Sequence, residues 1–129
     1  MIRLKNMSID LEKLISVIKE QVQMFLLDAG EFYPFGTCID KDGKIKPVSA
    51  FLEGDFPSSL ELISLLEKQL REGILNGNYK ISVLVIDVSV KEDNIKYDAM
   101  ELRFFEPKDV EKKQYIKYIT HSNFIEFIS

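Results

Sequence analysis

Tyr79-Lys80-Ile81-Ser82-Val83-Leu84-Val85-Ile86-Asp87-Val88-Ser89-Val90 is the stretch on which the fold turns. It is rich in β-branched residues and apolar on both faces at its centre, the composition of a central strand covered on two sides. Downstream, Lys91 to Asn94 reads as a polar turn. Ile95 to Phe105 then reads as the next strand, with Tyr97, Ala99 and Glu101 on one face and Asp98, Met100, Leu102 and Phe104 on the other. An antiparallel hairpin is the natural pairing. Beyond Pro107 and a charged turn through Lys113, Gln114 to Thr120 reads as a fifth strand. The tail from Phe124 to Ile128 is too apolar for free coil and reads as a short sixth strand or an edge addition.

Upstream, Ser58-Ser59-Leu60-Glu61 matches a capping box, in which Ser58 and Glu61 satisfy each other's free backbone donors. Leu62, Ile63, Leu66, Leu70 and Ile74 carry the buried stripe of the helix that starts there, and Asn76-Gly77-Asn78 stops it. Gly73, inside that helix, marks an early end or a close contact. Before the helix, Gly54 to Pro57 reads as a loop. Phe32 to Leu52 reads as strand, turn, strand about Lys41-Asp42-Gly43, since glycine accepts the positive φ of a tight hairpin. Phe35, Cys38, Ile39, Ile45, Val48 and Phe51 are its expected packing residues; Pro34 and Pro47 lack a ladder donor and favour an edge or strand ends. From Ser8 to Ala29, Leu11, Leu14, Ile15, Ile18, Val22, Phe25 and Ala29 recur at the helical period, with Ser8 as N-cap and Gly30 as stop. Met24, Leu26 and Leu27 widen that stripe and imply burial on more than one side.

The order αββαβββ predicts one α+β domain over residues 1–129, a mostly antiparallel sheet of five or six strands carrying two helices. Profilin-like and roadblock-like scaffolds share that order, by analogy only. Phe32, Phe35, Leu66, Val83 and Val85 are expected in one core.

The chain has 129 residues, 46% of them hydrophobic, and its 17 Lys and Arg against 21 Asp and Glu give a net charge of -4. Both signs are dispersed, which argues against nucleic acid, whose binding draws on clustered cations. The longest apolar runs, Met24–Leu27 and Val83–Ile86, fall far short of the roughly twenty residues that cross a bilayer. The N-terminus lacks the apolar core and cleavage site of a signal peptide, so a cytoplasmic protein without membrane association is expected. With Cys38 and His121 as its single cysteine and histidine, the chain has no intrachain disulfide and none of the common zinc ligand sets. No cofactor is expected.

Gly30-Glu31-Phe32-Tyr33-Pro34-Phe35-Gly36 places three aromatics and a proline between glycines. This segment, followed by the Asp42-Gly43 hairpin and the helix from Leu60 to Leu75, resembles a small α+β family of bacterial proteins. In that family a helix ends at a Glu-Phe-Tyr-Pro-Phe-Gly segment and a hairpin and second helix follow. The family has no assigned activity and so transfers no catalytic residue. From the residues themselves, Glu31 and Tyr33 can line a pocket at the helix end, or the aromatics can simply seal the core.

Cys38 and His121 are the residue types of a nucleophile and its base, but a mid-strand cysteine without an activating neighbour is more often a small buried hydrophobe. Asp40 and Asp42 fail the spacing of a calcium loop and read as turn residues. Asp87 and Asp98 form a potential carboxylate pair, with Lys96 or Arg103 as competing partners of Asp87. No catalytic residue is assigned. The expectation is a non-enzymatic protein-interaction domain, with a bacterial immunity protein that neutralises a toxin as one form. The alternative is a small-ligand sensor or an enzyme with an unfamiliar site, where Glu31 and Tyr33 meet Asp87 or Asp98. A protein partner or homodimer is expected, with Tyr115, Tyr118 and Phe127 as further contact candidates, because the apolar C-terminal segment either leaves a surface open or docks to complete the core.

Overall fold

The computed structural model describes residues 2–48, 58–108 and 110–128, with side chains from Asp10 onward. Among them, two helices and six strands follow the order α1 (Ile2–Ala29), β1 (Phe35–Asp40), β2 (Ile45–Val48), α2 (Ser59–Leu75), β3 (Tyr79–Glu92), β4 (Ile95–Glu106), β5 (Val110–Thr120) and β6 (Ile125–Ile128). The strands form one sheet in the order β2-β1-β3-β4-β5-β6, with every neighbouring pair antiparallel. This is the α+β architecture expected from the element order. Because β2 and β3 both run antiparallel to β1, they are parallel to each other, a relation that needs a crossover of a dozen residues or more. The segment containing α2 makes it.

Local chemistry explains most element ends. Gly30 stops α1 with a φ of 77°, and its N–H returns to the Leu26 carbonyl at 2.8 Å. The capping box of α2 is present in full: Ser58 Oγ accepts from the Glu61 N–H, and the Glu61 carboxylate accepts from the Ser58 N–H. Asp93 and Asn94, at φ of 51° and 66°, make the two-residue turn that joins β3 to β4. Positive φ at both central positions is the turn whose twist matches that of its strands. Pro47 lies in β2, at the sheet edge, where its missing donor costs no ladder bond to a further strand. Ser8, the expected N-cap of α1, lies inside the helix, which starts at Ile2; helical hydrogen bonding continues upstream of the apolar stripe. Phe51 and the Gly54–Pro57 loop lie outside the described residues.

The sheet separates two cores. On one face, α1 contributes Leu14, Ile18, Val22 and Leu26 against Ile39, Ile81, Val83, Val85, Met100, Leu102, Phe104, Ile116, Tyr118 and Ile125. On the other, α2 lays Leu66 and Leu70 on Leu84, Ile86 and Phe105. Ile81 through Ile86 are all buried, as expected of a strand covered on both sides. Phe32, Val83 and Val85 share one core with Phe35 at its margin, whereas Leu66 belongs to the other. Leu66 meets the even-numbered side chains of β3 and Val85 is odd, so the pleat sends them to opposite faces.

Coverage of α1 also differs from expectation. Leu26 is buried, but Met24 is 68% exposed and Leu27 41% exposed. With α2 on the far side of the sheet, no described element packs on the outer side of α1. The C-terminal segment divides by the same pleat: Ile116, Tyr118 and Ile125 are buried and Phe127 packs partly against the α1 core, while Tyr115, Ile119 and Phe124 are exposed. β6 therefore docks and completes one core while the opposite face of β5 stays open.

Candidate functional site

The site begins where α1 ends. After Gly30 the chain runs extended toward β1 with alternating orientation: Phe32 and Pro34 are buried, Glu31 and Tyr33 exposed. Phe32 sinks its ring into the α1 core, and its backbone N–H helps to hold down the pKa of the Asp87 carboxyl on β3. Gly36 then lets β2 and α2 close over β1, because a Cβ there would stand 3.2 Å from Val48 Cβ and 3.3 Å from Leu70 Cδ2. The glycines that bracket the aromatic segment thus have separate structural roles, a turn and a close approach.

Between these pieces lies a half-open cleft of about 470 Å³. α1 lines it with Phe25 and Asp28, the loop with Glu31, Tyr33 and Pro34, and β3 with Asp87. Phe25 meets Phe35 edge to face at 5.6 Å between ring centres, and Phe35 meets Phe32 in the same manner at 5.9 Å. Such quadrupole-matched contacts fix ring orientation. The structure therefore brings Glu31, Tyr33 and Asp87 together. Asp98 sits beside this group rather than in it: Asp87 pairs with Met100 across the ladder and Asp98 with Ser89.

Asp87 does not pair with Lys96 or Arg103. Its Oδ1 accepts the Tyr118 hydroxyl at 2.6 Å, a bond that reaches over β4 from β5 to β3. Burial pushes the Asp87 carboxyl above its usual range; the Tyr118 and Phe32 bonds pull it down, and the charges of Asp98 and Glu31 push it up again. Burial likewise raises the Tyr118 phenol, aided by the hydrogen bond it donates to Asp87. Tyr118 is 5% exposed and belongs to the core, the second of the two readings of the C-terminal segment; its even position in β5 points it under α1. Phe127 is partly buried against the same core, with the Lys19 ammonium 5.6 Å from its ring centre.

Tyr115 points to the opposite face and is 48% exposed, but its hydroxyl is engaged, donating to Glu101 at 2.8 Å. Glu101 also accepts from Arg103 Nε at 2.6 Å. Burial works to raise Glu101, yet the bonds from Tyr115 and Arg103, with the nearby positive charge, hold it below its usual range. A chain of ion pairs from Arg103 through Glu67 and Arg71 to Glu111 ties β4, α2 and β5 together on this face. These groups have partners and brace the sheet.

The nucleophile-and-base pairing is absent. Cys38 is buried in β1 and His121 follows β5, three strand spacings away, on the order of 14 Å. His121 contacts Glu126 at 2.9 Å and stacks on Phe124. Asp40 is a turn residue: its Oδ1 accepts from the N–H groups of Asp42 and Lys44, each at 2.9 Å, and Lys46 approaches Oδ2 at 2.9 Å. No group of three or more His, Cys, Asp or Glu side chains among the described residues is arranged to hold a metal ion. No helix among them is long and apolar enough to cross a membrane.

Phe25 and Asp28 carried no signal of their own in the sequence, since Phe25 keeps the helical phase of buried residues. The mark was the density of apolar residues from Met24 to Leu27, which the fold leaves largely outside. No protein-family model matches the chain, and neither a curated protein nor a solved structure shows significant similarity to it.

Proposed function

We propose that this protein is a non-enzymatic binding domain whose partner is another protein, docked on the end of α1 and the Glu31–Phe35 segment. One observation carries the reading. Met24, Phe25, Leu27 and Tyr33 are 41–68% exposed within ten residues of sequence, and Phe25 and Tyr33 line a cleft that carries Asp28, Glu31 and Asp87 and, among the described residues, no Lys or Arg. Apolar side chains concentrated at one place on a surface mark an association site, and uncompensated acidic charge selects a basic partner. A toxin that acts on nucleic acid carries a basic face, so a bacterial immunity protein is the specific form that this chemistry favours.

The open face of β5 is the weaker candidate. There Lys113 and Lys117 alternate with Tyr115 and Ile119, and interleaved lysines keep such a surface solvated.

The test is calorimetric titration of the products of neighbouring genes into the wild type and into Leu27→Glu and Tyr33→Glu variants. Both positions are exposed, so unchanged melting is expected of the variants. A tenfold or greater loss of affinity in each supports the reading. A partner that binds both variants as tightly as the wild type overturns it.

A further inference from the structure

We propose that the cleft at the end of α1 is a receptor for one organic cation, the lysine or arginine side chain of a docking partner, with its apolar stem against Phe25, Tyr33 and Phe35 and its charge among Asp28, Glu31 and Asp87. This rests on the protein-binding reading and names the group that enters the site.

Three independent features point to this ligand class. The volume of about 470 Å³ falls within the roughly 300–1,000 Å³ of small-ligand clefts and exceeds the need of a single long side chain. The walls are aromatic, with Phe25 and Phe35 held edge to face, and ring faces attract ammonium and guanidinium groups within about 6 Å. The charge is of one sign and unanswered: Asp28, Glu31 and Asp87 form no ion pair among the described residues. Asp87 accepts the Tyr118 hydroxyl on one of about four lone-pair directions, which leaves acceptor capacity for an incoming donor.

The same arrangement disfavours a metal ion. Among the described residues no group of three carboxylates is arranged to hold a metal ion, and aromatic walls supply none of the oxygens that a hard cation requires. A cation on an apolar stem uses both halves of the site. Tyr33, which lines the cleft and is 68% exposed, favours a side chain delivered by a protein surface over a free small molecule.

Amide chemical shifts of ¹⁵N-labelled protein, titrated with N-acetyl-arginine amide and N-acetyl-lysine amide, test the proposal. The neutral controls are N-acetyl-citrulline amide and N-acetyl-norleucine amide, and benzylamine stands for a free amine. Millimolar binding of the two cations is expected, with shifts centred on Ala29 to Phe35 and at least threefold weaker binding of their neutral counterparts. Glu31→Gln and Asp87→Asn should each weaken the cations by about three- to tenfold. Glu31 is exposed, so its variant keeps the test open even if Asp87→Asn unfolds. Equal binding of charged and neutral probes, shifts centred elsewhere, or no shift at all overturns the proposal. Benzylamine binding more than tenfold tighter than either amide overturns the side-chain source. A protein partner that is sensitive to Tyr33→Glu but indifferent to Glu31→Gln and Asp87→Asn sinks the cation receptor alone and leaves the binding domain standing.

Discussion

Tyr118→Phe isolates the bond that fastens the site to the sheet. The substitution keeps the ring in the α1 core and removes only the hydroxyl that Asp87 accepts at 2.6 Å. A hydrogen bond to a charged group contributes about 1.5–3 kcal/mol, and Asp87 is only half-buried, so a loss of about 1.5–2 kcal/mol at pH 7 is expected. For a chain of this size that is a fall in Tm of about 5–10 °C. The loss should also depend on pH, with a definite sign. Burial raises the folded-state pKa of Asp87 above its unfolded value, so stability from this group declines as pH rises from the unfolded pKa through the folded one. The Tyr118 bond opposes that rise, and its removal pushes the carboxyl higher. The deficit of the variant must therefore be larger at pH 7 than in acid, where Asp87 is protonated in both proteins and only a neutral hydrogen bond of about 0.5–1.5 kcal/mol is missing. Urea unfolding at pH 7 and near pH 3.5, in wild-type and Asp87→Asn backgrounds, measures both terms, and a coupling of about 1 kcal/mol is expected between the two sites. A loss below about 0.5 kcal/mol, or one that is unchanged by pH and by Asp87→Asn, refutes the reasoning.

Asp40 is held down to about 2, chiefly by Lys46 and then by the Lys44 N–H, against an ordinary value of 3.8. Asp40→Asn should be less stable than wild type above that ordinary value, and the two urea midpoints should converge as pH falls toward 2. Gly73→Ala gains about 1 kcal/mol of helix propensity, but its Cβ would run into the Tyr79 ring. A net loss of about 1–3 kcal/mol is expected, relieved by Tyr79→Ala in the double variant, and a stabilised single variant would refute the contact. Burial raises the Cys38 thiol, and the Asp40 charge adds to the effect. Native protein at neutral pH should react with a thiol reagent far more slowly than urea-unfolded protein, and matching rates would show an accessible thiolate.

In the sequence, Glu31-Phe32-Tyr33-Pro34-Phe35-Gly36 is marked by three aromatics and a proline beside glycine, a composition that does not say what each side chain does. The structure divides its side chains into two sets: Phe32 and Pro34 hold the loop down, while Glu31 and Tyr33 face the cleft. Asp87 stood out as the charge that interrupts an apolar strand, yet its partner, Tyr118, lies 31 residues away and looked like a surface aromatic. Nothing in the neighbourhood of either residue points to the other.

What the sequence determined by itself was whatever depends on a few adjacent residues. The periods of α1 and α2, the capping box at Ser58, the stop at Gly30 and the alternation along β4 are set by backbone geometry and local hydrogen bonds, so they can be read without the fold. Tertiary structure alone decided coverage and convergence. Leu66 and Val85 are equally apolar, but they belong to different cores because α2 crosses over one face of the sheet and α1 lies on the other. Met24 and Leu27 remain outside because no described element packs against the outer side of α1. Burial is a relation between distant segments, and the free energy that settles it resides in contacts that no window of neighbouring residues contains. The cleft has the same origin: its three carboxylates come from α1, the following loop and β3, and they meet only once the sheet is assembled.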